Sequence, residues 1–246
     1  MIHLKYLSAI QLSGTDAGDF LQSQLSADIK ALEPGQSTFA AYCTPRGQVL
    51  GLLLVCRSND HYQLVASAQL LPGIVKRLKI FVMRSRVDWQ DLPGLPVFGV
   101  SDDSPASANC EVFSPPSLNL TYATGPGESG DSDDESGWKS SELLQGVAWL
   151  DSSTTEKFIP QMLGQDDIGA LSFSKGCYPG QEIVARTRYL GKVKRKPLIV
   201  TVPGIWQFPG AGKLAVNYQD QSINGAIIDS AVSEERDTVV FLVTNL

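Results

Sequence analysis

Apolar positions along residues 1–90 follow helical and strand periods in turn. Ala17, Phe20, Leu21, Leu25, Ile29 and Leu32 recur close to every 3.6 residues. This predicts a helix capped by Thr15-Asp16 and ended by Pro34-Gly35. Phe39, Ala41 and Cys43 then alternate as in a half-buried strand, and Pro45-Arg46-Gly47 makes a turn. Val49–Val55 is continuously apolar, as suits a strand covered on both faces. Ser58-Asn59-Asp60 turns the chain into a further strand, His61–Ala66. Leu71, Ile74, Val75, Leu78 and Val82 mark a second helix, with Pro72 tolerated in its first turn. Helix, three strands, helix and strand in this order read as an α+β fold.

The pattern changes in 99–137. That stretch holds eight acidic residues and no Lys or Arg, and Gly125–Glu135 has no large apolar side chain to bury. It reads as an exposed acidic loop, preceded by a short run, Leu118–Tyr122, that could form an isolated strand. After Lys196, turn residues recur at Pro203-Gly204, Pro209-Gly210, Asn217, Asn224-Gly225 and Glu234-Glu235. The apolar runs between them, Leu198–Val202, Lys213–Val216, Gly225–Ile228 and Thr238–Val243, predict a small antiparallel β module.

Composition bounds the function more than it names it. The chain has 246 residues, 43% of them hydrophobic and 19% charged, which excludes wholesale disorder. No apolar run approaches the ~20 residues of a membrane span. The start, Met1-Ile2-His3-Leu4-Lys5-Tyr6, lacks the pattern of a secretory leader, so a cytoplasmic protein is expected. The cysteines, Cys43, Cys56, Cys110 and Cys177, have no C-x-x-C spacing and read as free thiols. His3 and His61 have no carboxylate cluster near them in sequence, so no metal ligands are expected.

The net charge of −6 conceals segregation. Lys175–Lys196, KGCYPGQEIVARTRYLGKVKRK, carries seven cations and one acid, Glu182, and five more cations fall in Lys76–Arg86. Such clusters can track phosphates even on an acidic protein; the simpler reading is a solvated helix end. Within this segment Pro179 can start a helix and Gly191 can end it. Cys177 and Tyr178 would then precede a helix N-terminus, where the dipole, free N–H groups and Lys175 favour a thiolate. The alternative is that Cys177 is a small apolar filler in a tight turn.

Lys175-Gly176-Cys177-Tyr178-Pro179-Gly180-Gln181-Glu182, followed by Ile183-Val184-Ala185-Arg186, resembles the signature of the YgfZ family. The resemblance extends to Phe158-Ile159-Pro160-Gln161-Met162, to Gly169–Phe173, to Gly14–Asp28 and to Thr44-Pro45-Arg46-Gly47. It implies the α+β aminomethyltransferase (T-protein)-like folate-binding fold with a C-terminal β-barrel. The composite core would comprise residues 1–98 and 138–192. Residues 99–137 would be an acidic flexible loop replacing a fuller subdomain, and 193–246 would form the barrel. The resemblance also implies a folate, such as tetrahydrofolate, as cofactor, and a role in assembly or repair of iron–sulfur clusters that indirectly supports tRNA modification. Implied partners are iron–sulfur enzymes or cluster carriers, with possible tRNA contact through the basic segment and no membrane. Cys177 would be the functional thiol, aided by Lys175. Trp138, Tyr178, Gly180, Gln181, Glu182, Arg186 and Arg188 would contact folate, the arginines through its glutamate tail.

The chain departs from the T-protein pattern at two places. Where aminomethyltransferases carry a working carboxylate, this chain has Val49-Leu50-Gly51-Leu52. No general base can be made from these, so aminomethyl transfer is the least favoured activity. Where folate binders hold the pterin with a Glu, this chain has Leu144-Gln145-Gly146, with Glu142 out of register. An RNA- or protein-binding module acting through 175–196 is the alternative function.

Overall fold

The computed structural model describes residues 1–90, 94–101, 105–116, 118–127, 135–191, 193–208, 212–218 and 221–245. In chain order the elements are β1 (Ile2–His3), β2 (Leu7–Ser13), α1 (Ala17–Gln24), β3 (Ser37–Cys43), β4 (Val49–Arg57), β5 (His61–Ser67) and α2 (Leu71–Val82). Then follow β6 (Asp88–Trp89), β7 (Val97–Gly99), β8 (Glu111–Phe113), β9 (Tyr122–Thr124), α3 (Glu135–Leu144) and α4 (Gln181–Leu190). The chain finishes with β10 (Lys196–Val202), β11 (Lys213–Tyr218), β12 (Gln221–Val232) and β13 (Thr238–Thr244).

The largest sheet is antiparallel, of order β3-β4-β5-β2-β6. Every residue of β4 from Val49 to Cys56 is buried, as its unbroken apolar run requires. One face packs under α1 and α2 through Ile10, Leu12, Phe20, Leu21, Leu53, Leu71, Ile74 and Leu78. The other face, with Phe39, Leu52 and Leu54, meets a second sheet of order β1-β7-β9-β8 through Tyr122 and Phe113, and Trp149 from the segment after α3 joins the same core. A third core joins Ala41, Cys43 and Val49 to Phe158, Leu163 and one face of the C-terminal sheet.

Several expectations change. The first helix ends at Gln24, because Leu25 turns extended (φ −108°, ψ 156°) and bridges to Tyr42. The Gln22 side chain then accepts the N–H groups of Ile29 and Lys30, so Ile29 and Leu32 stay buried without a continuous helix. Asp16 precedes α1 but does not cap it; its carboxylate accepts the Arg86 N–H at 2.8 Å. The described parts of 99–137 are more than a loop. β8 and β9 pair with each other, β9 pairs with β7, and β7 takes β1 as its outer neighbour. The strand expected near Leu118–Tyr122 is Tyr122–Thr124, and it is central rather than isolated. The acidic stretch 128–134 lies outside the described residues.

The C-terminal module is an antiparallel sheet of order β10-β13-β12-β11. β10 and β11 are its edges, and among the described residues no pairing joins them. α3 is anchored to it by Ser136, whose hydroxyl donates to Val232 O and accepts Val232 N–H. No described helix is long and apolar enough to cross a membrane.

Candidate functional site

The signature segment is held by Ser26, Lys175 and two glycines. Ser26 is fully buried. Its hydroxyl donates to Ala170 O at 2.6 Å and accepts the Ala41 N–H at 2.7 Å, and its own N–H donates to Ala41 O. With Ser172 N–H on Ser26 O, this pins the chain entering the signature against the edge of β3.

Lys175 is 8% exposed, and its ammonium donates to the carbonyls of Gln22, Leu25 and Ala27. The last carbonyls of a helix lack intrahelical donors and carry partial negative charge, so a cation there closes the end of α1. Burial lowers the amine from its ordinary 10.5 to about 8, opposed by the nearby Asp28 carboxylate. The ammonium also lies 5.3 Å from the centroid of the Tyr178 ring. Tyr178 is itself buried, and burial, then the neighbouring Cys43, pushes its phenol up.

Gly180 has φ +84°, and a Cβ there would stand 2.6 Å from Thr44 O and 2.7 Å from Gly47 Cα. Gly47 has φ +74°, and its own Cβ would meet Ile183 at 2.9 Å. The turn after β3 and the turn before α4 therefore cross backbone to backbone, which only glycine permits. α4 starts at Gln181, two residues beyond Pro179, and buries Val184. Gln161 holds it from below by donating to Val184 O at 2.7 Å.

Cys177 is exposed on this pedestal, whereas Cys43 and Cys56 are buried and Cys110 half-buried. Burial pushes the Cys43 thiol up to about 12 and raises that of Cys56. Two supports expected for a Cys177 thiolate are used elsewhere. The N–H groups of Gln181, Ile183 and Val184 already donate to Tyr178 O and Gly180 O. The Lys175 amine points into the end of α1. What singles out Cys177 is access on a rigid mount.

The other expected contacts divide into two places. Glu182 and Arg186 are exposed on α4, and Gln181 is half-exposed. Arg188 lies over the Phe173 ring at 4.7 Å, near Asp166 at 4.0 Å. Trp138 packs elsewhere, edge-on to Tyr122 with ring centroids 5.9 Å apart and against Gly99. The next residue of α3, Lys139, borders a cavity of about 340 Å³ lined also by Tyr6, Gln69, Trp149, Asp151 and Asp229. Lys139 pairs with Asp229 at 2.6 Å and lies 5.0 Å over the Tyr6 ring. None of residues 175–188 lines this cavity.

Two groups have surroundings that the sequence reading did not show. Glu142 is fully buried and accepts hydrogen bonds from Tyr6 Oη at 2.8 Å and Tyr122 Oη at 2.7 Å. Burial pushes its carboxyl up from 4.5 to about 7, against the pull of those two hydroxyls. His61, read as lacking carboxylates, has Asp60 Oδ1 2.8 Å from Nδ1 and Glu111 Oε1 3.0 Å from Nε2. Glu111 lies fifty positions away, so only the pairing of sheets could bring it there. Among the described residues no group of three or more His, Cys, Asp or Glu is placed to hold a metal ion.

This arrangement of three sheets and the helices packed on them is the fold of the glycine cleavage T-protein. The crystal structure of glycine cleavage system aminomethyltransferase T from Bartonella henselae superposes with TM-score 0.71, covering 99% of this chain and 77% of that one at 16% identity. No family model matches the chain. Curated relatives do. The tRNA-modifying protein YgfZ of Colwellia psychrerythraea is 31% identical over 225 residues, 79% of this chain and 69% of that protein. The protein of that name from Vibrio atlanticus is 29% identical over 223 residues, 82% of this chain and 69% of its own length. An uncharacterized protein of Haemophilus influenzae is 31% identical over 207 residues, 82% of this chain and 73% of its own length. The chain belongs to the YgfZ family.

Proposed function

We propose that this protein supports tRNA modification by maintaining the iron–sulfur cluster of a modifying enzyme, with a folate as cofactor. The observation that carries the reading is the exposed thiol of Cys177 on a mount built from Lys175, Gly180 and Gly47. A resident cluster generally takes about four thiolates. Among the described residues no three His, Cys, Asp or Glu side chains come together to hold a metal, so the cluster is read as cargo on a client rather than a fixture of this chain. The relatives named for tRNA modification supply the biological direction.

For folate, the residues around the α3 cavity fit a pterin. Tyr6 and Trp149 offer ring faces, and Asp151 and Asp229 offer acceptors for ring N–H and amino groups. Bound there, tetrahydrofolate would supply a one-carbon carrier. The chain's own part is to orient the ring and, through Lys139, to hold charge balance at Asp229. Aminomethyl transfer is disfavoured by the sequence. Val49-Leu50-Gly51-Leu52 offers no carboxylate to act as a general base.

The test is complementation. In cells lacking the native protein, Cys177→Ser is expected to leave low the fraction of tRNA modified by an iron–sulfur enzyme, most clearly under oxidative stress. Full rescue by that variant overturns the role of the thiol. For folate, quenching of Trp149 fluorescence on titration with tetrahydrofolate is expected to saturate in the wild type, with the signal lost in Trp149→Phe.

A further inference from the structure

α3 holds one wall of the cavity beside Lys139. Glu135, Lys139 and Glu142 recur at i, i+4 and i+7, so they share one face of that helix. All three act on Tyr6. Glu135 Oε1 accepts its backbone N–H at 3.1 Å, the Lys139 ammonium lies 5.0 Å over its ring, and Glu142 Oε2 accepts its hydroxyl at 2.8 Å. The other carboxyl oxygen of Glu142 accepts the Tyr122 hydroxyl at 2.7 Å, and the Trp149 indole N–H faces the same group. Tyr6, Lys139 and Trp149 all line the cavity, whereas Glu142 is fully buried behind them.

What this carboxyl can do depends on its proton. Ionised, it accepts at both oxygens and holds the Tyr6, Tyr122 and Trp149 donors together. Protonated, it becomes a donor at one oxygen, so one phenol must turn from donor to acceptor or give up the contact. The groups that bias this choice come from several elements. Burial opposes ionisation and brings the carboxyl up to about 7, while Tyr122 on β9 and Tyr6 before β2 favour the ionised form by donating, and Lys139 favours it by charge. Asp229 of β12 also acts on Tyr6, and Cys56 of β4 acts on Tyr122. Lys139 is already paired with Asp229 at 2.6 Å, so ionising Glu142 leaves the surroundings of the cavity one charge more negative. A ring edge that presents N–H and amino donors gains from that charge at short range.

We infer that Glu142 is a positioning residue for this cavity: its charge state sets the Tyr6 and Trp149 walls, and its ionised form favours a ligand with a donor-bearing ring edge. The inference rests on the folate reading proposed above for the choice of ligand, and it assigns the regulation of that site to a residue that does not line it.

The experiment has two arms. In the first, calorimetric titration of the wild type with tetrahydrofolate is expected to show affinity rising about 5-fold from pH 6 to pH 8, as a one-unit lowering of the Glu142 pKa from about 7 by the bound ring requires. Glu142→Gln, neutral throughout, should bind with one affinity across the range, near that of wild type at pH 6. Tyr122→Phe removes a donor from the ionised form and should move the midpoint to higher pH. In the second arm no ligand is present. The Trp149 fluorescence, taken as the difference between each protein and its Trp149→Phe counterpart, should titrate with a midpoint near 7 in the wild type and stay flat in Glu142→Gln. Far-UV circular dichroism confirms that each variant is folded. A merely structural role would weaken Glu142→Gln equally at every pH and keep its profile parallel to that of wild type, and this result would overturn the inference. So would a Trp149 signal in the wild type that does not change with pH. Absence of tetrahydrofolate binding at every pH would overturn the folate reading, while the ligand-free arm still decides the role of Glu142, so the two fail separately.

Discussion

Replacing Glu142 by Gln should change how stability depends on pH. In the folded chain the carboxyl sits fully buried between Tyr6 and Tyr122, with its pKa moved from 4.5 to about 7. A pKa raised on folding means the native state holds a proton that the unfolded chain releases. Between about 4.5 and 7 the native state therefore binds more protons, and stability falls as pH rises. A displacement of that size corresponds to about 3 kcal/mol at ~1.36 kcal/mol per unit. Glutamine keeps the shape and can still pair with both phenols, but it does not titrate. Urea unfolding of both proteins at pH 4.5, 6, 7 and 8 isolates the effect. The stability of Glu142→Gln relative to wild type should rise by about 3 kcal/mol from the lowest pH to the highest, most of it before pH 7. Any constant cost of the substitution cancels in that difference. A relative stability flat to within ~0.5 kcal/mol would refute the reasoning, because the carboxyl would then titrate as in the unfolded chain.

Three further outcomes follow from the mount of the thiol. Gly180→Ala must place a Cβ against Thr44 O at a positive φ, and should cost at least ~2 kcal/mol, read as a fall in Tm of roughly 4–8 °C. Lys175→Met keeps the apolar stem but leaves the Gln22, Leu25 and Ala27 carbonyls unpaired; a loss of ~2–4 kcal/mol and faster amide exchange near the end of α1 are expected. Thiol labelling of the native protein should show a fast phase that Cys177→Ser abolishes with Tm nearly unchanged, while Cys43 and Cys56 react only on unfolding. Fast labelling of Cys43 would contradict its place in the core.

Elements stabilised by their own pattern were legible in the chain. The helix expected from Leu71, Ile74, Val75, Leu78 and Val82 is α2, and the unbroken run from Val49 is the doubly covered β4. The glycines of Thr44–Gly47 and Lys175–Glu182 were visible as motifs, and the resemblance they carried led to the right fold. In each case the information lies within a dozen residues, because helix period, strand burial and turn geometry are local properties.

Tertiary structure alone decided where charge and polarity went. Nothing near Lys175 in sequence shows that its amine closes a helix ending at Gln24, about 150 positions earlier. In sequence Glu142 was only an acid out of register with the pterin-binding position; its burial depends on Tyr6 and Tyr122, which come to it from other parts of the chain. The three-residue strands β7, β8 and β9 are too short for a period to register, and they exist because each finds a partner. Local sequence determines which backbone a segment prefers. A buried charge or a short strand is stable only with the groups that satisfy it, and those come from distant parts of the chain that only folding brings together.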